Sequence, residues 1–191
     1  MTLTQYKKTI KSLDRAGLEE HLFALFKTNK IFKDIESGFF NPADNEELLN
    51  ALTKKLERVF WKEQFSLSEC KGILKDYCSR TTDTGTIALM HLVFAKTATE
   101  LSATYGDYGE SFYNNLISSA EKFLEYARSD KKFFEVHEEE FEKLIKLADP
   151  IGYGVADDLG MLFYDIRDDL YPEEWDIDES GAESTDGSGD E

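Results

Sequence analysis

Five aspartates crowd the last apolar-periodic segment of the chain: Asp157, Asp158, Asp165, Asp168 and Asp169. On an α-helix the steps of seven and four from Asp158 to Asp165 to Asp169 return close to one face. Carboxylates grouped in this way are oxygen ligands for Mg²⁺ or Ca²⁺. Asp157, Asp158, Asp165 and Asp169 are therefore the candidate metal ligands of this sequence. A plainer account competes. Asp157 and Asp158 fall in the first turns of their helix, where the helix dipole favours negative charge, and the others form a solvated face. The plainer account is favoured, because the set lacks His, Cys and a glycine-bearing calcium loop.

Other chemistry is scarce, and no catalytic residue or cofactor is expected. The phosphate loop G-x-x-x-x-G-K-[ST] and the C-x-x-C pair are both absent. The Glu-x-x-His element of di-iron bundles needs Glu three residues before a histidine. Those positions hold Leu18, Ala88 and Phe134. A second histidine four residues on fails too, since Leu25, Ala95 and Phe141 stand there. His91 lies in an apolar run and is expected to be a hydrogen-bonded core residue. Gly152-Tyr153-Gly154 ahead of a helix could offer backbone N–H groups to a phosphate. No strand precedes it, and aspartates follow, so a tight turn is favoured. Gly152 or Gly154, and Gly106 or Gly109, are expected at positive φ.

These residues sit on a chain of 191 residues with 39 acidic and 22 basic side chains, a net charge of -17. Nine of the acids, and no base, lie between Glu173 and Glu191. With no basic surplus to neutralise phosphates, nucleic-acid binding is not expected. Fourteen Phe, nine Tyr and two Trp are too many for a disordered chain. Cys70 and Cys78, on one helix, would stand ~12 Å apart at ~1.5 Å per residue, beyond disulfide reach. They read as two buried thiols in a reducing compartment. No segment reaches the ~20 apolar residues of a membrane span, so a cytoplasmic protein with no membrane partner is expected.

The elements follow from apolar spacing of three and four. Leu3, Tyr6, Ile10 and Leu13 draw one helix, with Thr2 and Gln5 as a capping box. Asp14 opens a second helix, and Ile31 to Phe40 form a short third. Asn41-Pro42-Ala43-Asp44 is a break. A fourth helix runs from about Asp44 to Gln64, and Ser66 with Glu69 caps the next. Asp83 opens a helix to about Tyr105 that is apolar on most sides, which marks the central element. Further helices run from about Glu110 to Ala127, from Asp130, and from about Tyr153 to Asp169. No period-2 strand pattern occurs. The expectation is an all-α fold of eight or nine helices, an antiparallel bundle or a curved stack of helical hairpins. Residues 1–171 are the expected domain, and 172–191 an expected disordered acidic tail. The pairs Phe39-Phe40, Phe60-Trp61 and Phe133-Phe134 cannot all point inward. Ordinary packing at the edge of the core is the favoured reading, and exposure of one member as a contact surface the alternative.

Gly152-Tyr153-Gly154-Val155-Ala156-Asp157-Asp158-Leu159, with Tyr164 after it, resembles the closing signature of a family of small bacterial all-helical proteins known only as a domain of unknown function. Tyr105-Gly106-Asp107 with Phe112-Tyr113-Asn114 resembles that family's central turn. Leu67-Ser68-Glu69 with Lys71 resembles another shared element. The resemblance spans roughly residues 3–170 and implies a helical fold with no assigned activity.

Three functions are open at this point. The leading expectation is a non-enzymatic protein–protein interaction or scaffold module. The partner would be another protein, and a basic one would complement the acidic tail. The alternatives are a metal-dependent enzyme or metal-binding protein using the last-helix aspartates, and an acidic mimic of nucleic acid.

Overall fold

The computed structural model describes residues 1–172, so the expected disordered tail falls outside the described residues apart from Pro172. Within them the chain forms nine α-helices, which take 84% of the residues, and no strand. They are α1 (Leu3–Ser12), α2 (Arg15–Thr28), α3 (Lys30–Phe40), α4 (Pro42–Phe60), α5 (Leu67–Arg80), α6 (Thr84–Tyr105), α7 (Glu110–Ser129), α8 (Lys131–Ala148) and α9 (Val155–Leu170). No helix among them is long and apolar enough to cross a membrane.

The helix starts carry the side chains that the unpaired first-turn N–H groups need. Thr2 and Gln5 form a complete capping box on α1. Asp14 accepts from Gly17 N, Asp83 from Gly85 N and Thr86 N, and Asp130 from Phe133 N. Pro42 occupies the first turn of α4, where a missing N–H costs nothing. Ser66 accepts from Glu69 N, but the Glu69 carboxylate turns away to Lys62 at 3.0 Å, so that box is half formed. α4 ends at Phe60, four residues before Gln64, because Trp61 onward forms the turn that carries the chain to Ser66.

α6 is the central element. It packs on α4, α5, α7 and α8 and supplies eleven buried residues, more than any other helix. Around it α4 pairs with α5, and α7, α8 and α9 pack on one another. Phe60, Phe94, Phe123, Phe134, Phe141 and Phe163 are sealed from solvent. The Phe141 and Phe163 rings stack at 5.4 Å. Each such ring contributes about 1.5–3 kcal/mol by leaving water.

The first three helices differ from the rest. α1 and α2 contain no buried residue, and α3 contains only Gly38. The Tyr6 hydroxyl meets His21 Nε2 at 3.1 Å and ties α1 to α2. α3 is the part joined to the body, through Asp34, which accepts from Arg80 Nε at 2.6 Å, and through Gly38, whose carbonyl accepts from Asn45. The result is an arm on a helical body.

Candidate functional site

The last-helix aspartates separate in space. Asp165 and Asp169 reach across to Arg128 of α7, at 3.6 Å from Nη2 and 3.2 Å from Nε. Asp158 is half-buried in the first turn of α9, and Asp168 is exposed. Asp157 points elsewhere, into a groove between α8 and α9. Among the described residues no group of three or more His, Cys, Asp or Glu side chains is placed to hold a metal ion.

That groove encloses about 540 Å³. Ile145, Ala156, Gly160 and Met161 give it an apolar floor, Asp149 and Asp157 an acidic rim, and Lys146 one cation. Met161 and Tyr164 beside it are more than half exposed. Gly160 keeps it open, since a Cβ there would meet only the Tyr164 ring, at 3.9 Å.

At one end of the body two turns meet. Gly106 and Gly109 have φ of 95° and 83°, and Gly154 has φ of 70°. Gly152 is not among the positive-φ glycines, but Tyr153 has φ of 62°. This left-handed pair, Tyr153 and Gly154, delays the start of α9 to Val155. The Tyr153 hydroxyl donates to Asp107 at 3.1 Å, and its ring lies 5.2 Å from that of Tyr113. The Gly109 N–H, helped by the Tyr153 hydroxyl, holds the Asp107 carboxyl below its usual range. In return Asp107 pushes the Tyr153 phenol up. This corner is a clasp between turns, and no anion is needed to explain its glycines.

The arm leaves several large apolar side chains uncovered. Leu3, Leu22, Phe23, Phe26, Phe39 and Phe40 are all exposed, the last two at 74% and 78%. The favoured reading of Phe39-Phe40 as edge-of-core packing is thus corrected: both rings face solvent, in a T-shaped pair 5.2 Å apart. The other two pairs divide, with Phe60 and Phe134 buried, Trp61 exposed and Phe133 half-buried. Residues 1–40 also carry seven basic and five acidic side chains, so the arm is net basic on an acidic chain.

A second expectation is overturned. His91 is buried as read, at 7% exposure, but it makes no hydrogen bond among the described residues, and Nδ1 is sealed off without a partner. One turn away on either side, α6 itself offers only Ile87, Ala88, Phe94 and Ala95, none with a polar side chain. Cys70 and Cys78 are free thiols, Cys70 buried and Cys78 half-buried.

Neither a protein-family model nor a curated protein nor a solved structure matches this chain.

Proposed function

We propose that the protein is a non-enzymatic interaction or scaffold module that assembles through its N-terminal arm, whose partner is a second copy of the chain. The observation that carries this reading is the arm itself. Forty residues contribute a single buried position to the fold and leave large apolar side chains in water. Large apolar side chains left in water along one segment mark a contact site.

Charge selects the partner. The arm is net basic, whereas residues 41–172 hold 25 acidic and 15 basic side chains. The α8–α9 groove joins an apolar floor to the Asp149 and Asp157 rim. A lysine-flanked apolar helix fits such a groove, and the arm carries exposed Lys7, Lys8, Lys11, Lys27, Lys30 and Lys33 beside its apolar residues. Reciprocal exchange of two arms closes with two-fold symmetry and leaves no open end.

Light scattering on the eluting full chain tests this. The expected mass at about 100 µM, where a micromolar contact is saturated, is twice the 21.9 kDa of one chain. Phe23→Ser with Phe26→Ser on the arm, and Met161→Lys at the groove, should each weaken the dimer by about tenfold, or ~1.4 kcal/mol. A monomer at that concentration overturns the reading, as does a dimer indifferent to both changes. A monomer that sediments with phosphatidylserine vesicles would overturn it in favour of a membrane surface.

A further inference from the structure

A second cavity, of about 440 Å³, opens between α5, α6 and α7 and shares no lining residue with the α8–α9 groove. Its chemistry is the reverse of the protein's. Lys71 and Lys75 stand one turn apart on α5, and Lys122 faces them from α7. None of the three is in an ion pair among the described residues, whereas the acids of α5 are committed elsewhere, Glu69 to Lys62 and Asp76 to Arg80. Like charges at i and i+4 repel, so the Lys71–Lys75 spacing works against α5 unless an anion joins it.

His91 lines the same cavity. Burial, with Lys122 adding to it, pushes its imidazole down to about 4, so the ring is neutral near pH 7. A neutral imidazole has one N–H and one acceptor nitrogen. Nδ1 is sealed and unpartnered, and a buried N–H left without an acceptor is rarer in folded proteins than an under-satisfied acceptor. The proton therefore belongs on Nε2, which makes the ring a donor awaiting an acceptor. The Ser119 side chain, on α7, lines the cavity without a hydrogen bond among the described residues. Leu74 and Phe94 supply apolar wall.

We propose that this cavity binds a small organic phosphate. The phosphate would lie among the three ammonium groups, with the His91 and Ser119 donors completing its shell, and the organic part against Leu74 and Phe94. The lining discriminates against a carboxylate. A carboxylate carries one charge and is best matched by the planar fork of arginine, and no arginine lines the cavity. A phosphate monoester carries nearly two charges and several acceptor oxygens, which separate lysines can share. The volume is within the range of small-molecule sites, roughly 300–1,000 Å³.

Calorimetric titration of the full chain with phenyl phosphate, inorganic phosphate and benzoate tests the site. Phenyl phosphate should bind with a dissociation constant below about 1 mM, roughly tenfold tighter than either of the others. The Lys75→Gln, Lys122→Gln double variant should weaken it by about tenfold or more, and His91→Phe by roughly threefold. Both lysines are exposed, so the double variant is expected to melt with the parent, which circular dichroism checks. No binding up to about 10 mM overturns the proposal. So does equal affinity for benzoate, or binding that the folded double variant retains in full.

Discussion

The Thr81 hydroxyl donates to the side-chain oxygen of Asn45 at 2.9 Å, inside the seam where α3 meets α4 and the start of α6. The other end of the Asn45 amide donates to the Gly38 carbonyl at 3.3 Å. Thr81 in turn accepts from Asp83 N at 3.0 Å, and Asp83 caps α6. One buried amide thus links the arm to the cap of the central helix.

Asn45→Ala should expose the value of that link. It leaves the Gly38 carbonyl and the Thr81 hydroxyl without their partner, and buried unsatisfied groups cost about 1–3 kcal/mol each. A loss of that order is expected in urea denaturation. Gly38→Ala should act at the same point, because a Cβ there collides with the Asn45 side chain. Hydrogen exchange should then speed in α3 well before it does in α6.

The clasp at the other end separates two similar glycines. Gly154 has φ of 70°, and an L side chain there is strained by about 1 kcal/mol. Gly152 is exposed, is not at positive φ and has nothing within 4 Å of an added Cβ. Gly154→Ala should lower the melting temperature, and Gly152→Ala should leave it unchanged or raise it slightly.

His91 sets a pH dependence. Its folded pKa of about 4 lies below the ordinary imidazole value of 6.5, so the unfolded chain binds the extra proton first. Stability should be fully present above about pH 6.5 and fall as pH drops from there towards 4. The loss is on the order of 1–3 kcal/mol. Lys122, which faces the ring, deepens the effect. Denaturation at pH 7 and pH 4.5 checks it: the difference should shrink by that amount in His91→Phe. An unchanged difference would show that carboxylates account for all of it.

The two thiols should differ in reactivity. Burial pushes the Cys70 thiol up to about 12, with Glu69 adding to the shift. Cys78 is also raised by burial, but Lys122 opposes the shift and the side chain is half-exposed. With thiolate as the reactive form, a disulfide reagent at pH 8 should label Cys78 first. Cys70 should react only at the rate of unfolding.

Local pattern located most of the architecture. Thr2, Asp14, Asp83 and Asp130 declare their helix starts because capping is a contact within three residues. The all-round apolar stretch after Asp83 identified the central helix for a similarly direct reason. What failed were properties that depend on neighbours distant in sequence. Spacing shows which face of α2 is apolar, but not that Leu22, Phe23 and Phe26 stay exposed among the described residues. The apolar run around His91 signals burial, yet its missing hydrogen bond depends on what α5 and α7 place beside it. Lys71, Lys75, His91 and Lys122 come from three helices, so no motif could have grouped them. The aspartates failed in the opposite way: one helix face suggested a cluster, and Arg128 on another helix draws Asp165 and Asp169 away from Asp157.

The arm also bears on the order of events during synthesis. Residues 3–40 are made ahead of both their anchors, Asn45 and Arg80. At 5–20 residues per second, the chain from Gly38 to Arg80 takes about 2–8 s to add. For that interval Phe23, Phe26, Phe39 and Phe40 have no body to sit on, and α1 to α3 are too short to be stable helices alone. Two nascent chains on one message would hold such arms at high local concentration. If the arm is the assembly surface proposed above, pairing can begin before either copy has finished folding.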